Sequence, residues 1–328
     1  MSPILAVGAT LRDRYVIQDV IGRGGMGSIY QAEDGRLPGR ICAVKEVEYE
    51  AELPERIREE SREQFYREAS VLARLDHPNL PKVSDYFSEA GRDYLVMDFV
   101  PGEDLKSLMD EARRAQHFLD AAVVVGWAMQ LLDALDYMHH QEPPVIHRDI
   151  KPGNIKRTPT GLVKLVDFGL VKQMLPDEMT VTVIQGRGTA LYTPLEQYGG
   201  DTGHTEPRSD VYALGATLYH LLTNHPPPEA KERFLRPETL VPPRQWNPAI
   251  DTEVEQAVLA AMSLHPDQRP PDAASFRDAL MASPSGSPAP FPPARSWRIF
   301  LSRTTPLDRG IALAFGGALL LAILASLS

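Results

Sequence analysis

The run His147-Arg148-Asp149-Ile150-Lys151-Pro152-Gly153-Asn154, followed thirteen residues after its Asn by Asp167-Phe168-Gly169, constrains this chain more than any other feature. Residues 163–166 read as a strand, so a loop carrying Asp, Lys and Asn at fixed offsets lies beside a strand that runs into a second Asp. These residue types suit phosphoryl transfer, which needs a carboxylate facing a hydroxyl, a cation on the moving phosphate and two ligands for Mg²⁺. In that scheme Asp149 orients a hydroxyl and accepts its proton, Lys151 steadies the γ-phosphate, and Asn154 and Asp167 each hold Mg²⁺. Positioning and charge neutralisation can lower a barrier by about 7–11 kcal/mol without covalent chemistry, so a few placed charges suffice.

Two upstream features fit the same chemistry. Gly22-Arg23-Gly24-Gly25-Met26-Gly27 has the spacing of a phosphate-binding loop. A dinucleotide fold would need that loop to open a helix. Here Ser28-Ile29-Tyr30-Gln31-Ala32 follows and alternates like a strand, so the glycines belong to a hairpin whose amides can close over phosphates. Lys45 ends the apolar strand 41–44. On the helix expected next, Phe65, Glu68, Ala69, Leu72 and Leu75 share one stripe. A carboxylate within an apolar stripe is costly unless paired, and Lys45 is the expected partner of Glu68, the two together holding the α- and β-phosphates.

The 328 residues are 43% hydrophobic, ample for a core, and carry a net charge of −10 with no long basic run in the folded part. That balance argues against nucleic acid as a partner. The single cysteine, Cys42, cannot form an internal disulfide and points to a reducing, cytosolic setting.

The expected class is α+β with two lobes. Strands are expected at 15–17, 28–32, 41–45, 82–87 and 94–99, with a helix at 54–75. After Pro101-Gly102 helical periodicity takes over at 121–140, 210–223 and 254–262. A β-rich lobe (15–98) and a larger helical lobe (102–281) would meet near 98–102, after a flank at 1–14. Residues 282–309 read as a Pro/Ser-rich, Arg-containing linker. The segment 310–328 reads as a transmembrane helix, because seventeen uncharged, Leu- and Ala-rich residues (311–327) reach about 26 Å, close to the thickness of a hydrocarbon core. Arg295, Arg298, Arg303 and Arg309 precede it, and only Ser328 follows. Under the positive-inside rule this is a single-pass protein of the cell membrane with its folded part in the cytoplasm. No secretory signal is expected at the N-terminus.

In order, the glycine loop, Ala43-Val44-Lys45, Glu68, His147-Arg148-Asp149, Asp167-Phe168-Gly169, Ser209-Asp210-Val211-Tyr212 and Pro266-Asp267-Gln268-Arg269-Pro270 resemble a Hanks-type (bacterial, eukaryotic-like) serine/threonine protein kinase over about four-fifths of the chain. The resemblance implies ATP with Mg²⁺ (Mn²⁺ as the alternative) in the cleft, bound by Ile21, Gly22, Gly24, Gly27, Ile29, Ala43, Lys45, Glu68, Met97 and Lys156, with Met97 guarding the back of the pocket. It implies protein substrates with Ser or Thr hydroxyls. Lys151, two residues after Asp149, is the serine/threonine signature, and Thr189 would meet the substrate and contact Asp149 and Lys151.

The resemblance also implies that Arg148, an unpaired cation beside Asp149, is satisfied by a phosphate on the following loop, with Thr180 and Thr182 as acceptors and a homodimer serving autophosphorylation in trans. Two positions depart from the family. Pro194-Leu195-Glu196 replaces Ala-Pro-Glu, with Glu196 still able to pair with Arg269. Lys156 takes a place usually apolar under the adenine, where its stem can lie flat and send the charge to water. A catalytically weak pseudokinase or scaffold at the membrane is the alternative function. A small-molecule kinase and a membrane adaptor explain fewer of these residues.

Overall fold

A computed structural model describes residues 4–24, 27–47, 55–168, 187–198 and 205–282. The chain divides into two compact units, Met1–Ser283 and Pro284–Ser328. All described residues belong to the first. The expected membrane segment 310–328, the linker beyond residue 282, Thr180, Thr182 and Gly169 lie outside the described residues.

The small lobe is a six-stranded antiparallel sheet: β1 (Thr10–Leu11), β2 (Tyr15–Gly24), β3 (Gly27–Asp34), β4 (Ile41–Val47), β5 (Val83–Glu89) and β6 (Arg92–Asp98), in the order β1-β2-β3-β4-β6-β5. Strict alternation of buried and half-buried side chains along β3 is the signature of a strand with one face on a core. The sheet begins before Tyr15: Thr10 and Leu11 pair with Val16 and Tyr15, and Leu11 is buried. The next residue, Arg12, reaches the opposite edge of the sheet, its amide donating to Glu89 Oε2 at 2.6 Å and its guanidinium to Asp85 Oδ1 at 2.9 Å.

Among the described residues one helix crosses the small lobe, α1 (Glu55–Leu72), burying Ser61, Phe65, Ala69 and Leu72. These residues recur at three- and four-residue steps, the stripe of a helix packed on one side.

At Gly102 φ is +105°, and an added Cβ would lie 2.1 Å from the carbonyl oxygen of Arg157, so the passage between lobes requires glycine. The large lobe then opens with β7 (Glu103–Asp104), which pairs with β8 (Ile155–Arg157) and through it with β9 (Val163–Leu165). The helices are α2 (Leu105–Arg114), α3 (Ala121–His139), α4 (Arg187–Ala190), α5 (Pro207–Thr223), α6 (Ala230–Leu235), α7 (Pro243–Trp246), α8 (Thr252–Ala261) and α9 (Ala273–Met281). Capping residues set several starts. Asp104 accepts from Ser107 N at 2.8 Å, Asp120 from Ala122 N at 2.8 Å, and Asp272 from Ser275 N at 2.7 Å. Pro207 occupies the first turn of α5, where its missing N–H costs nothing.

Every residue of α5 from Ser209 to Thr223 is buried, so this helix is the axis of the lobe. Helix α3 is, among the described residues, long and apolar enough to cross a membrane by length and composition. Eight of its side chains, from Val124 to Met138, are buried in the core of this lobe against α5 and α9.

Candidate active site

Strand pairing and one buried carboxylate hold the reactive loop. Asp210, near the start of α5, has no exposed side-chain surface and accepts hydrogen bonds from His147 N (2.8 Å), Arg148 N (2.9 Å) and His139 Nε2 (3.0 Å). Burial alone would raise its pKa, but these donors outweigh it and hold the carboxyl below the usual carboxylate range. The anchor is needed because Arg148 adopts φ +67°, a left-handed conformation that costs a side-chain-bearing residue energy. Asp210 was legible only as part of a motif, and His139 gave no signal beyond its place at the end of an apolar helix.

On that loop Lys151 Nζ donates to Asp149 Oδ2 at 2.9 Å and to Thr189 Oγ1 at 3.0 Å. Asn154 Nδ2 donates to both the backbone oxygen and Oδ2 of Asp149, each at 2.8 Å. Asp149 is thus oriented by a cation and an amide. Thr189 is placed by α4 and reached through Lys151.

The amide nitrogen of Asn154 is committed to Asp149, which leaves the side-chain oxygen as its ligand atom. Val166 N donates to Asn154 O at 2.8 Å, bringing Asp167 next to Asn154. One carboxylate and one carboxamide oxygen are the hard donors Mg²⁺ takes alongside substrate phosphates, so the pair fits that ion. Asp167 adopts φ +63°, a second strained backbone position at the site.

Above the loop, Lys45 on β4 is paired with Asp167, and its ammonium also donates to Phe168 O at 3.0 Å. The expected Lys45–Glu68 pair is therefore corrected. Glu68 instead accepts from Gln64 Nε2 at 2.8 Å, one turn back on α1. Burial pushes the Glu68 carboxyl up to about 7, only partly offset by the Gln64 bond and the positive fields of Arg148 and Arg67.

The reason lies in the seating of α1. Its Gln64, Arg67, Glu68 and Val71 line a cavity of about 250 Å³ against Pro143 to Ile146, Arg148 and Phe168. Arg148, expected as an unpaired cation, faces Glu68 and Asp210 there, and burial draws its pKa down. Sequence periodicity identified the stripe of α1 but not which way it turns, and Gln64 was missed as the nearer partner.

The residues expected to bind nucleotide lie on β2, β3, β4 and β6 of the small lobe, on α1, and on β8 of the large lobe. Gly22 pairs with Ile29 and Gly24 with Gly27 across the β2–β3 hairpin, whose tip, Gly25 and Met26, lies outside the described residues. Ala43 lies opposite Met97 in the β4–β6 register, and both are buried. Ile21 is exposed. Lys156, on β8, carries its ammonium 5.8 Å from the centre of the Phe99 ring rather than simply out to water.

On the far side Glu196 and Arg269 form a bidentate pair (2.6 and 3.0 Å), with Ser209 Oγ donating to Glu196 Oε1 at 2.9 Å. The Pro194-Leu195-Glu196 departure leaves that anchor closed. Burial opposes the charge of Glu196, yet Arg269 keeps its pKa below the usual range.

Residues 15–270 match the family described as Protein kinase domain. Serine/threonine-protein kinase PknA of Mycobacterium tuberculosis is 35% identical over 302 residues, 89% of this chain and 66% of that protein. A probable serine/threonine-protein kinase of Streptomyces coelicolor is 35% identical over 85% of this chain but 41% of its own length, so the chain spans well under the full length of such relatives. Among solved structures, the apo form of PpkA-294 superposes with a TM-score of 0.70 at 29% identity, covering 85% of this chain and all of that one. The kinase domain of Mycobacterium tuberculosis PknI gives 0.64 at 27% identity over 85% of this chain and 99% of its own. A two-lobed fold, the paired Asp149, Lys151 and Asn154, and a match over residues 15–270 have one reading: this chain belongs to the protein kinase family.

Proposed function

We propose that this protein transfers the γ-phosphate of ATP to serine or threonine hydroxyls of proteins. The carrying observation is Lys151, whose ammonium joins Asp149 to Thr189 and so ties the proton acceptor to the loop that meets a substrate. Asp149, fixed by Asn154, holds the acceptor hydroxyl and takes its proton, while Lys151 sits where the transferred group gathers charge. Asn154 and Asp167 would hold Mg²⁺, which would supply charge neutralisation at the phosphates when bound. Lys45 is engaged by Asp167, so the described arrangement is a resting one. Activity then requires Glu68 to replace Asp167 as the partner of Lys45. We also infer autophosphorylation of the segment holding Thr180 and Thr182 within a homodimer, and a single-pass anchor at 310–328 with the kinase domain in the cytoplasm. Charge pattern and length support the anchor.

The test is phosphate transfer by the full-length chain, in detergent with Mg-ATP, to a generic Ser/Thr-rich protein, followed by phosphoamino-acid analysis. Phosphoserine or phosphothreonine should appear and should fall about 10²–10⁴-fold in Asp149→Asn, the usual worth of a positioned base. A wild-type chain that binds nucleotide yet transfers nothing would move the reading to a scaffold.

A further inference from the structure

We propose that Arg62, Tyr66 and Ser70 are positioning residues, forming a polar latch that holds α1 turned so that Glu68 stays off Lys45. The inference rests on the kinase reading above and adds to it what sets the resting state. Tyr66 Oη shares a hydrogen bond with Ser88 Oγ at 2.7 Å, and Ser70 Oγ shares one with Tyr86 Oη at 3.0 Å. One turn earlier, Arg62 Nε lies 3.7 Å from Asp93 Oδ2, and Asp93, fully buried, also accepts from Ser88. Ser88 and Asp93 are register partners across the β5–β6 pair.

The spacing explains why these groups meet. Four helical residues advance about 6.0 Å and two strand residues about 6.6 Å, so positions 66 and 70 keep step with 88 and 86 on one face of β5, while Arg62 reaches Asp93 on β6. The inner face of α1, with Phe65, Ala69 and Leu72, is apolar and fixes no angle of roll. Hydrogen bonds are directional and do. Across the helix from Tyr66 and Ser70, among the described residues, Arg67, Glu68 and Val71 line the 250 Å³ cavity, so close packing does not brace the helix from that side. The orientation of Glu68 is therefore set from β5, through hydroxyls that belong neither to the nucleotide cleft nor to the catalytic loop. A helix released from that strand can roll until Glu68 meets Lys45.

The measurement is steady-state kinetics of the full-length protein with amide hydrogen exchange of α1, for Tyr66→Phe, Ser70→Ala, Tyr86→Phe and the Ser70→Ala/Tyr86→Phe double variant. Removal of one latch bond should lower KM for ATP about 2- to 5-fold, the population shift expected for one modest hydrogen bond, and should speed exchange in α1. The double variant should match its singles, because both remove the same bond. Folded variants with faster exchange but unchanged or raised KM would assign these hydroxyls a merely structural part and overturn the latch. A wild-type chain without transferase activity would instead sink the kinase reading. In that case tighter Mg-ATPγS binding by Tyr66→Phe would still support the latch, and equal binding would overturn it.

Discussion

A carboxyl that loses its water without gaining a full countercharge becomes a weak acid, and Glu68 is in that position. Its pKa rises from 4.5 to about 7 when the chain folds. The resting fold therefore favours the protonated form. The corresponding stability is fully present below about pH 4.5 and is lost as pH rises through 7. Glu68→Gln, neutral at every pH, should melt at a higher temperature than wild type at pH 8 and at nearly the same temperature at pH 5, as differential scanning calorimetry would read. Equal melting at both values would show that Glu68 keeps its water. The same residue illustrates the limit of reading chemistry from sequence: the stripe at 65, 68, 69 and 72 located a costly carboxylate correctly. Its partner depends on the roll of a helix, a variable that periodicity does not carry.

Among elements, α5 shows what burial on all sides demands. An added Cβ at Gly215 would lie 2.8 Å from Ala261 Cβ and 3.2 Å from Met262 Cγ, so α5 and α8 touch at backbone distance. Gly215→Ala gains helix propensity but overpacks that crossing. Urea denaturation should show a net loss of about 1–3 kcal/mol, the usual cost of an extra methyl in a filled core. A gain would mean the crossing can open.

Elements with strong local patterns were legible from sequence: β3 and β4 by alternation and branched side chains, α1 and α3 by their stripes. The short pieces were not. Strand β7 is two residues long, α6 six and α7 four. Lengths of that order hold too few turns or alternations for a period to register, and tertiary packing decides them. Within the site, the offsets of Asp149, Lys151 and Asn154 were readable because one loop carries all three. Asp210 was harder, since its partners lie 62 to 71 residues away.

For the whole molecule, the proposed anchor makes a direct prediction. The full chain should stay with membranes through alkaline carbonate extraction, and a chain lacking 310–328 should be released while keeping its phosphotransfer. Release of both would remove the membrane reading without touching the kinase one. Arg12 joins the first edge of the small-lobe sheet to Glu89, a residue 77 positions later. The intervening hairpins close short loops and can form early. A contact across such a span carries a larger closure entropy and gains only once its surroundings exist. During synthesis the opening segment must therefore wait, with its strand partner in place and its clasp open, until the fifth strand of the lobe has emerged.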